Sequence, residues 1–237
     1  MSNNQFLQTI ASSFIRFLET SSRSNKKLII LHGEIAKDIK ERLGKEYEIK
    51  SLGIGDGKEG SMTGRYMEKK VDILISKNGE DIAGIAVKFV MNNYSQNSNN
   101  YFENMLGETA NIRTEGKKYF QILVLPKELP YYNNNGEITK WEKITEHNID
   151  KYTALSNDDI DTYLHTPTKI LLYIIKLPDC DYKTINTRTK YKKYYLGIKN
   201  NLSVKISNGI SMNLGKTLIL NDYEEFVDKI VHSIKSV

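Results

Sequence analysis

Two unbroken apolar runs, KYFQILVLP (118–126) and TKILLYIIKL (168–177), constrain the fold of this chain more than any other feature. Each has the length of a strand and is apolar at both alternating sets of positions, as a strand is when both of its faces are covered. Strands of that kind need helices packed on either side of their sheet. Helical spacing supplies the cover: Phe6, Ile10, Phe14 and Leu18 in one segment; Leu28, Leu31, Ile35, Ile39 and Leu43, ending near Gly44, in the next; and Phe226, Val227, Ile230, Val231 and Ile234 after Asp222. Residues 47–52, VDILIS (71–76) and DIAGIAVKFV (81–90) read as further strands, the last two joined around Asn78-Gly79, a strong hairpin signal. A helix from about Tyr101 to Arg113 follows the Asn-rich loop NNYSQNSNN. The segment NNNGEITKWEKI is a loop or hairpin, a short helix starts at Ser156 with Asp159 completing a capping box, and SVKIS-NG-ISMNL is a second hairpin turning at Asn208-Gly209. The expected fold is α/β, a mixed central β-sheet flanked by helices, with an additional C-terminal β-hairpin and helix, all in a single domain over 1–237.

Composition narrows the function classes. No segment approaches the roughly 20 apolar residues that span a bilayer, and the start lacks a basic stretch leading into an apolar one, so no membrane role and no secretion are expected. The single cysteine, Cys180, forms neither an intramolecular disulfide nor a thiolate cluster, which suits a reducing cytoplasm. His32, His147, His165 and His232 lie far apart without metal-finger spacing and receive no role. The formal net charge of +5 is mild, but its distribution is not: from Tyr182 to Asn221 there is no Asp or Glu, while Arg188, Lys190, Lys192 and Lys193 interleave with Tyr191, Tyr194 and Tyr195. Such a surface suits a phosphate backbone, although a solvated basic face is the plainer account. GIGDGKEG (53–60) fails as a P-loop, because three residues separate Gly53 from Gly57 and Glu59 follows Lys58 where Ser or Thr is needed. It reads as a flexible surface loop able to touch a ligand, with a plain connector as the alternative.

Lys88 is the conspicuous residue. It sits near the end of an otherwise apolar strand, where an ammonium is costly unless something needs it. Alternation along the 71–90 hairpin decides what shares its face. A plain two-residue turn at Asn78-Gly79 splits the apolar residues across both faces. An odd-length loop, such as three residues with a bulge at Gly79, keeps them together and puts Asp72 on the face of Ala86 and Lys88. Gly84 and Ala86 leave room between the carboxylate and the ammonium, an arrangement suited to a metal and an activated water; a structural ion pair is the alternative.

With these residues placed, the chain resembles the PD-(D/E)XK nuclease superfamily, which includes most type II restriction endonucleases, over roughly residues 34–126. The resemblance makes Asp72 the first acid, preceded by Val71 in place of proline, and makes Ala86-Val87-Lys88 the (D/E)-X-K element with its acid missing. It is closest to the subgroup in which that acid has moved to the following helix. There Glu103 lies at a spacing close to the subgroup's, and its neighbours Gly107 and Ala110 suggest a helix face close to the sheet; Glu108 is the alternative. Glu34, on the preceding helix, takes the place of the family's further acid.

The resemblance implies a restriction-endonuclease-like fold with a nuclease core at about 27–126 and DNA-recognition or dimerisation additions at about 127–237. It further implies Mg²⁺ held by Asp72 and Glu103, no organic cofactor, Lys88 acting on the attacking water, and sequence-specific hydrolysis of double-stranded DNA leaving 5′-phosphates. Candidate DNA contacts are Asn97, Asn99, Asn100, Arg188, Lys190, Lys192 and Lys193. A palindromic site calls for a homodimer. The rival expectations are a DNA-binding relative that has lost catalysis, a repair or junction nuclease of the same superfamily, and an interaction protein whose Lys88 merely reaches out to solvent.

Overall fold

The structure is a computed structural model that describes residues 1–20, 24–210 and 212–236. Along the chain come α1 (Asn3–Glu19), α2 (Lys26–Leu43), β1 (Tyr47–Ser51), a small hairpin of β2 (Gly60–Thr63) and β3 (Glu68–Val71), β4 (Ile73–Lys77), β5 (Glu80–Phe89), α3 (Tyr94–Arg113) and β6 (Lys118–Pro126). The second half adds a hairpin of β7 (Glu128–Tyr132) and β8 (Ile138–Lys143), α4 (Glu146–Ser156), β9 (Lys169–Lys176), α5 (Arg188–Gly197), β10 (Lys205–Ile206), β11 (Leu218–Leu220) and α6 (Tyr223–Lys235).

The main sheet runs β1-β4-β5-β6-β9, and both β10 and β11 pair with β9. β4 is antiparallel to both β1 and β5, whereas β5, β6 and β9 are parallel, so this is the mixed sheet of an α/β fold. The two apolar runs occupy its centre as β6 and β9, and alternation sorts their side chains. Phe120, Ile122, Val124, Leu171 and Tyr173 pack under α1, α2 and α6; Leu123, Leu125, Ile170 and Leu172 pack under α3 and α4. Phe6, Phe14, Phe120 and Phe226 are fully buried, each worth about 2–3 kcal/mol of transfer free energy. Among the described residues, no helix is long and apolar enough to cross a membrane.

The β4–β5 register preserves the expected outcome by a different device. Asn78 and Gly79, at φ 53° and 81°, form a two-residue turn that pairs Lys77 with Glu80 and Ser76 with Asp81. A bulge at Ile82 then moves the pairing to Ile75–Ala83 and Ile73–Ile85, which gathers the apolar set on one face. Asp72 and Lys88 thereby reach the same end of the sheet.

Four local expectations need correction. The Asn-rich stretch is helical, and α3 begins at Tyr94, because the Glu142 carboxylate accepts from the Tyr94 and Ser95 N–H groups and caps the helix from β8. Ser156 ends a helix and does not begin one: Ile149, Tyr152 and Leu155 form the buried stripe of α4, whose start is held by the Asn148 side chain accepting from the Thr145 N–H. Residues 60–67, read as loop, belong to the β2–β3 hairpin, which runs on to Val71. Among the described residues 207–210 and 212–217 carry no strand, so the expected C-terminal hairpin does not form there; Ser211 lies outside the described residues. Asn221 instead donates to the Ser207 carbonyl and accepts from the Ile174 N–H, tying both flanking segments to β9.

One close approach positions the later chemistry. Gly53, at φ 81°, lies flat on α2, where a Cβ would collide with the Ile29 carbonyl oxygen; a Cβ on Gly33 would stand 3.1 Å from the Gly53 Cα. The Gly53→Ala variant is expected to lose roughly 2 kcal/mol or more of unfolding free energy in chemical denaturation, by strain and by prising α2 from this loop.

Candidate active site

Asp72 occupies the bend between β3 and β4 and is clamped from two strands. Its carbonyl accepts from the Ser51 hydroxyl of β1 at 2.7 Å, and its Oδ2 accepts from the Val87 N–H of β5 at 2.7 Å. The other oxygen, Oδ1, faces His32, whose Nδ1 is 3.8 Å away. Burial pushes the Asp72 carboxyl up to about 6; the Val87 N–H opposes this, Glu59 and Glu108 add to it, and Lys88 pulls it back.

His32 comes from α2 and is 1% exposed, with neither ring nitrogen hydrogen-bonded. Burial pushes its pKa down to about 4, against a smaller upward pull from Glu59, so the ring is neutral at physiological pH. Glu59 ends the glycine-rich loop just before β2, with Lys70 3.1 Å from its Oε2. One donor atom from each of His32, Glu59 and Asp72 lies within 4.8 Å of the others.

These groups adjoin a cleft of about 530 Å³ at the carboxyl end of β5, beside the switch from antiparallel to parallel pairing, where α/β sheets tend to hold ligands. Asp72, Ala86, Lys88 and Gln121 line it, with His32 on the α2 side and Glu108 on the α3 side. Lys88 is exposed, its ammonium 4.4 Å from the centroid of the Tyr101 ring. Gln121, next to Ala86 across the β5–β6 ladder, is 7% exposed, and its Nε2 has no partner. Glu108 takes a bond from the Tyr119 hydroxyl at 3.3 Å and pairs with Lys69, whereas burial and the nearby Glu108 and Asp72 hold the Tyr119 phenol well above its usual range.

The cleft therefore gathers Asp72 and Lys88 as expected, but not Glu103 or Glu34. Glu103 is exposed and faces Lys151, because α3 turns Met105, Thr109 and Ile112 inward and Glu108 flanks that stripe. Glu34 is half-exposed and paired with Lys37 at 2.6 Å; it lies two residues from His32, about 200° round the helix, so only one of them can face the site. His32, Glu59 and Gln121 were missed. The signals available for the first two were an ionisable residue inside the apolar stripe of α2 and an acid at the end of a loop with φ-positive glycines.

The expected DNA contacts fall in two groups. Asn97 bonds the Tyr101 hydroxyl, Asn99 accepts from Lys151 at 3.0 Å and Asn100 is exposed, all on the first half of α3. Arg188 lies over the Tyr132 ring and Lys190 donates to Thr184 and Asn186, while Lys192 and Lys193 project to solvent from α5. α5 follows β9 out of the carboxyl end of the parallel strands, the end that carries the cleft.

No family model matches this chain, and no curated protein matches it. Among solved structures it is similar to one described as the crystal structure of a protein of unknown function, AF1548, with 16% identity and a TM-score of 0.27. The match covers 40% of this chain and 46% of that one, less than half its length, and carries no argument about fold or activity.

Proposed function

We propose that this protein is a divalent-cation-dependent endonuclease of the PD-(D/E)XK type, cutting double-stranded DNA at a specific sequence as a type II restriction enzyme does. The observation that carries the reading is that Asp72 and Lys88 line one cleft with the small Ala86 between the acid and the ammonium, and that Glu59 offers an oxygen within 4.8 Å of Asp72. The order α2-β1-β4-β5-α3-β6, with a parallel β5–β6 pair bridged by α3, supports it. The acid missing at position 86 is supplied in this reading by Glu59, with Glu108 nearby, in place of Glu103.

The donor set fits a divalent cation, because two carboxylates and a neutral imidazole place one donor atom each within 4.8 Å of the others. Mg²⁺ is the ion the resemblance implies; when bound, such a cation polarises the scissile phosphate and acidifies water. Asp72, Glu59 and His32 would hold it. Lys88 orients the attacking water and offers positive charge to the phosphate as negative charge builds on its oxygens. Gln121 donates its unpaired N–H to a phosphate oxygen. Water oxygen bonds phosphorus as the bond to the 3′ oxygen breaks; the water gives up a proton, the departing 3′ oxygen takes one up, and the products are a 5′-phosphate and a 3′-hydroxyl. Lys192 and Lys193 reach the DNA backbone from the same end of the sheet, and a palindromic site pairs two copies, one per strand, in the cytoplasm.

The test is incubation of mixed-sequence plasmid DNA with Mg²⁺, with Mn²⁺ and with chelator. Discrete cation-dependent fragments are expected; a gel shift without cutting overturns the catalytic reading, and smearing or structure-dependent nicking overturns the sequence-specific one. Glu108→Gln is expected to slow cutting by about 10–100-fold, as changes beside a metal site do, and Glu103→Gln to leave it unchanged. Equal losses would return Glu103 to the site.

A further inference from the structure

His32 presents a cost with no structural return. A fully buried imidazole normally has a hydrogen-bond partner on at least one nitrogen, and leaving a buried polar group unmet costs about 1–3 kcal/mol. Both of its nitrogens lack one. Asp72 Oδ1 stands 3.8 Å from its Nδ1, too far for a hydrogen bond but close to the spacing of two donors on one ion. Donors each about 2.0–2.2 Å from a shared ion stand up to roughly 4.4 Å apart, so the 4.8 Å cluster needs only a small inward movement.

We infer that His32, Glu59 and Asp72 form a mixed nitrogen–oxygen site selective for a first-row transition ion of the Mn²⁺ class over Mg²⁺, and that the bound ion ties the β2–β3 hairpin to α2. The inference shares its site with the nuclease reading and gives that site an ion preference. Mg²⁺ prefers an all-oxygen octahedron and keeps its waters, whereas an imidazole nitrogen adds more to the binding of a first-row transition ion, Mn²⁺ being the weakest binder of that series. Asp72 is already held by Ser51 and Val87, so its free oxygen is fixed in direction before any ion arrives. His32 is fixed by the packing of α2 against Gly53. The three donors come from α2, from the loop before β2 and from the bend after β3. An ion there closes both ends of the residue 59–72 segment onto the helix.

The experiment uses the whole chain without DNA. Titration calorimetry is expected to give Mn²⁺ at least about tenfold tighter binding than Mg²⁺, and electron spin echo spectra of the Mn²⁺ complex to show coupling to an imidazole nitrogen. Mn²⁺ is expected to slow amide exchange in β2 and β3. In His32→Gln the nitrogen coupling is lost and the two affinities converge. Equal affinities in the wild type, absent nitrogen coupling, or Mn²⁺ binding unchanged in His32→Gln each overturn the inference. The wild-type spectrum tests it without any variant, should His32→Gln fold poorly. Selective Mn²⁺ binding without DNA cutting would sink the nuclease reading and keep the metal site; cutting with equal ion affinities would do the reverse.

Discussion

Lys88→Ala is expected to lower DNA cleavage by about 10²–10³-fold or more while leaving cation binding and DNA binding near the wild-type level. The size of the loss follows from what the ammonium does in the proposed reaction. It is the positive charge that β5 places on the Asp72 side of the cleft, two residues beyond Ala86 on the same face. The fold does not need it: Lys88 is exposed, and its ammonium lies over the face of the Tyr101 ring, an interaction worth about 0.5–1 kcal/mol at an exposed site. Melting temperature should therefore hold, and single-turnover rates on a cleavable plasmid should collapse. Lys88→Arg keeps the charge but replaces a compact donor with a planar fork, and is expected to recover little of the rate. Cleavage within a few-fold of wild type in Lys88→Ala would remove this residue from the chemistry and leave the interaction-protein account standing.

The parts of the fold legible in the sequence are those where burial alone dictates the pattern. β6 and β9 are apolar on both faces, and α1, α2 and α6 carry unbroken stripes, so each stands close to where its residues place it. The hairpin register was legible for the same reason, although the chain reaches it through a bulge at Ile82 and not through a longer turn. β2 and β3 were illegible because GSMT and EKKV bury only Gly60, Met62 and Val71, too few positions to show alternation. Asn208-Gly209 carried a turn signal that tertiary contacts overrode once Asn221 claimed the neighbouring carbonyl and N–H. At the site, Asp72 and Lys88 were readable from strand parity. Glu59 and His32 were not, because their meeting depends on Gly53 lying against Gly33, a contact between distant segments that no local period encodes.

The Asp72→Asn variant is expected to melt several degrees above the wild type at pH 8 in chelator, and to lose that advantage as the pH falls toward 4. The sign comes from the raised carboxyl. In the unfolded chain Asp72 ionises near 3.8, but in the fold it holds its proton up to about 6, because burial and then Glu59 and Glu108 disfavour the charge. Its contribution to stability is therefore present below about 4, falls as the pH rises through 6, and stays lost above that. Asparagine avoids this loss and can keep the bond from the Val87 N–H through its own oxygen. About 30% of the Asp72 side chain remains open to solvent, which screens part of the penalty and brings the expected gain to on the order of 1–2 kcal/mol. His32, with its lowered pKa, acts in the opposite sense, losing stability as pH falls from 6.5 toward 4, but it is present in both proteins and cancels in the difference. Saturating Mn²⁺ at pH 8 is expected to reverse the order. The wild type gains about 2.7 kcal/mol at a hundred times its dissociation constant, while the variant, short of one carboxylate, gains far less. A variant less stable than wild type in chelator at pH 8, or one whose advantage persists at pH 4, would show that this carboxylate is not stored in the fold as an unpaired charge awaiting a cation.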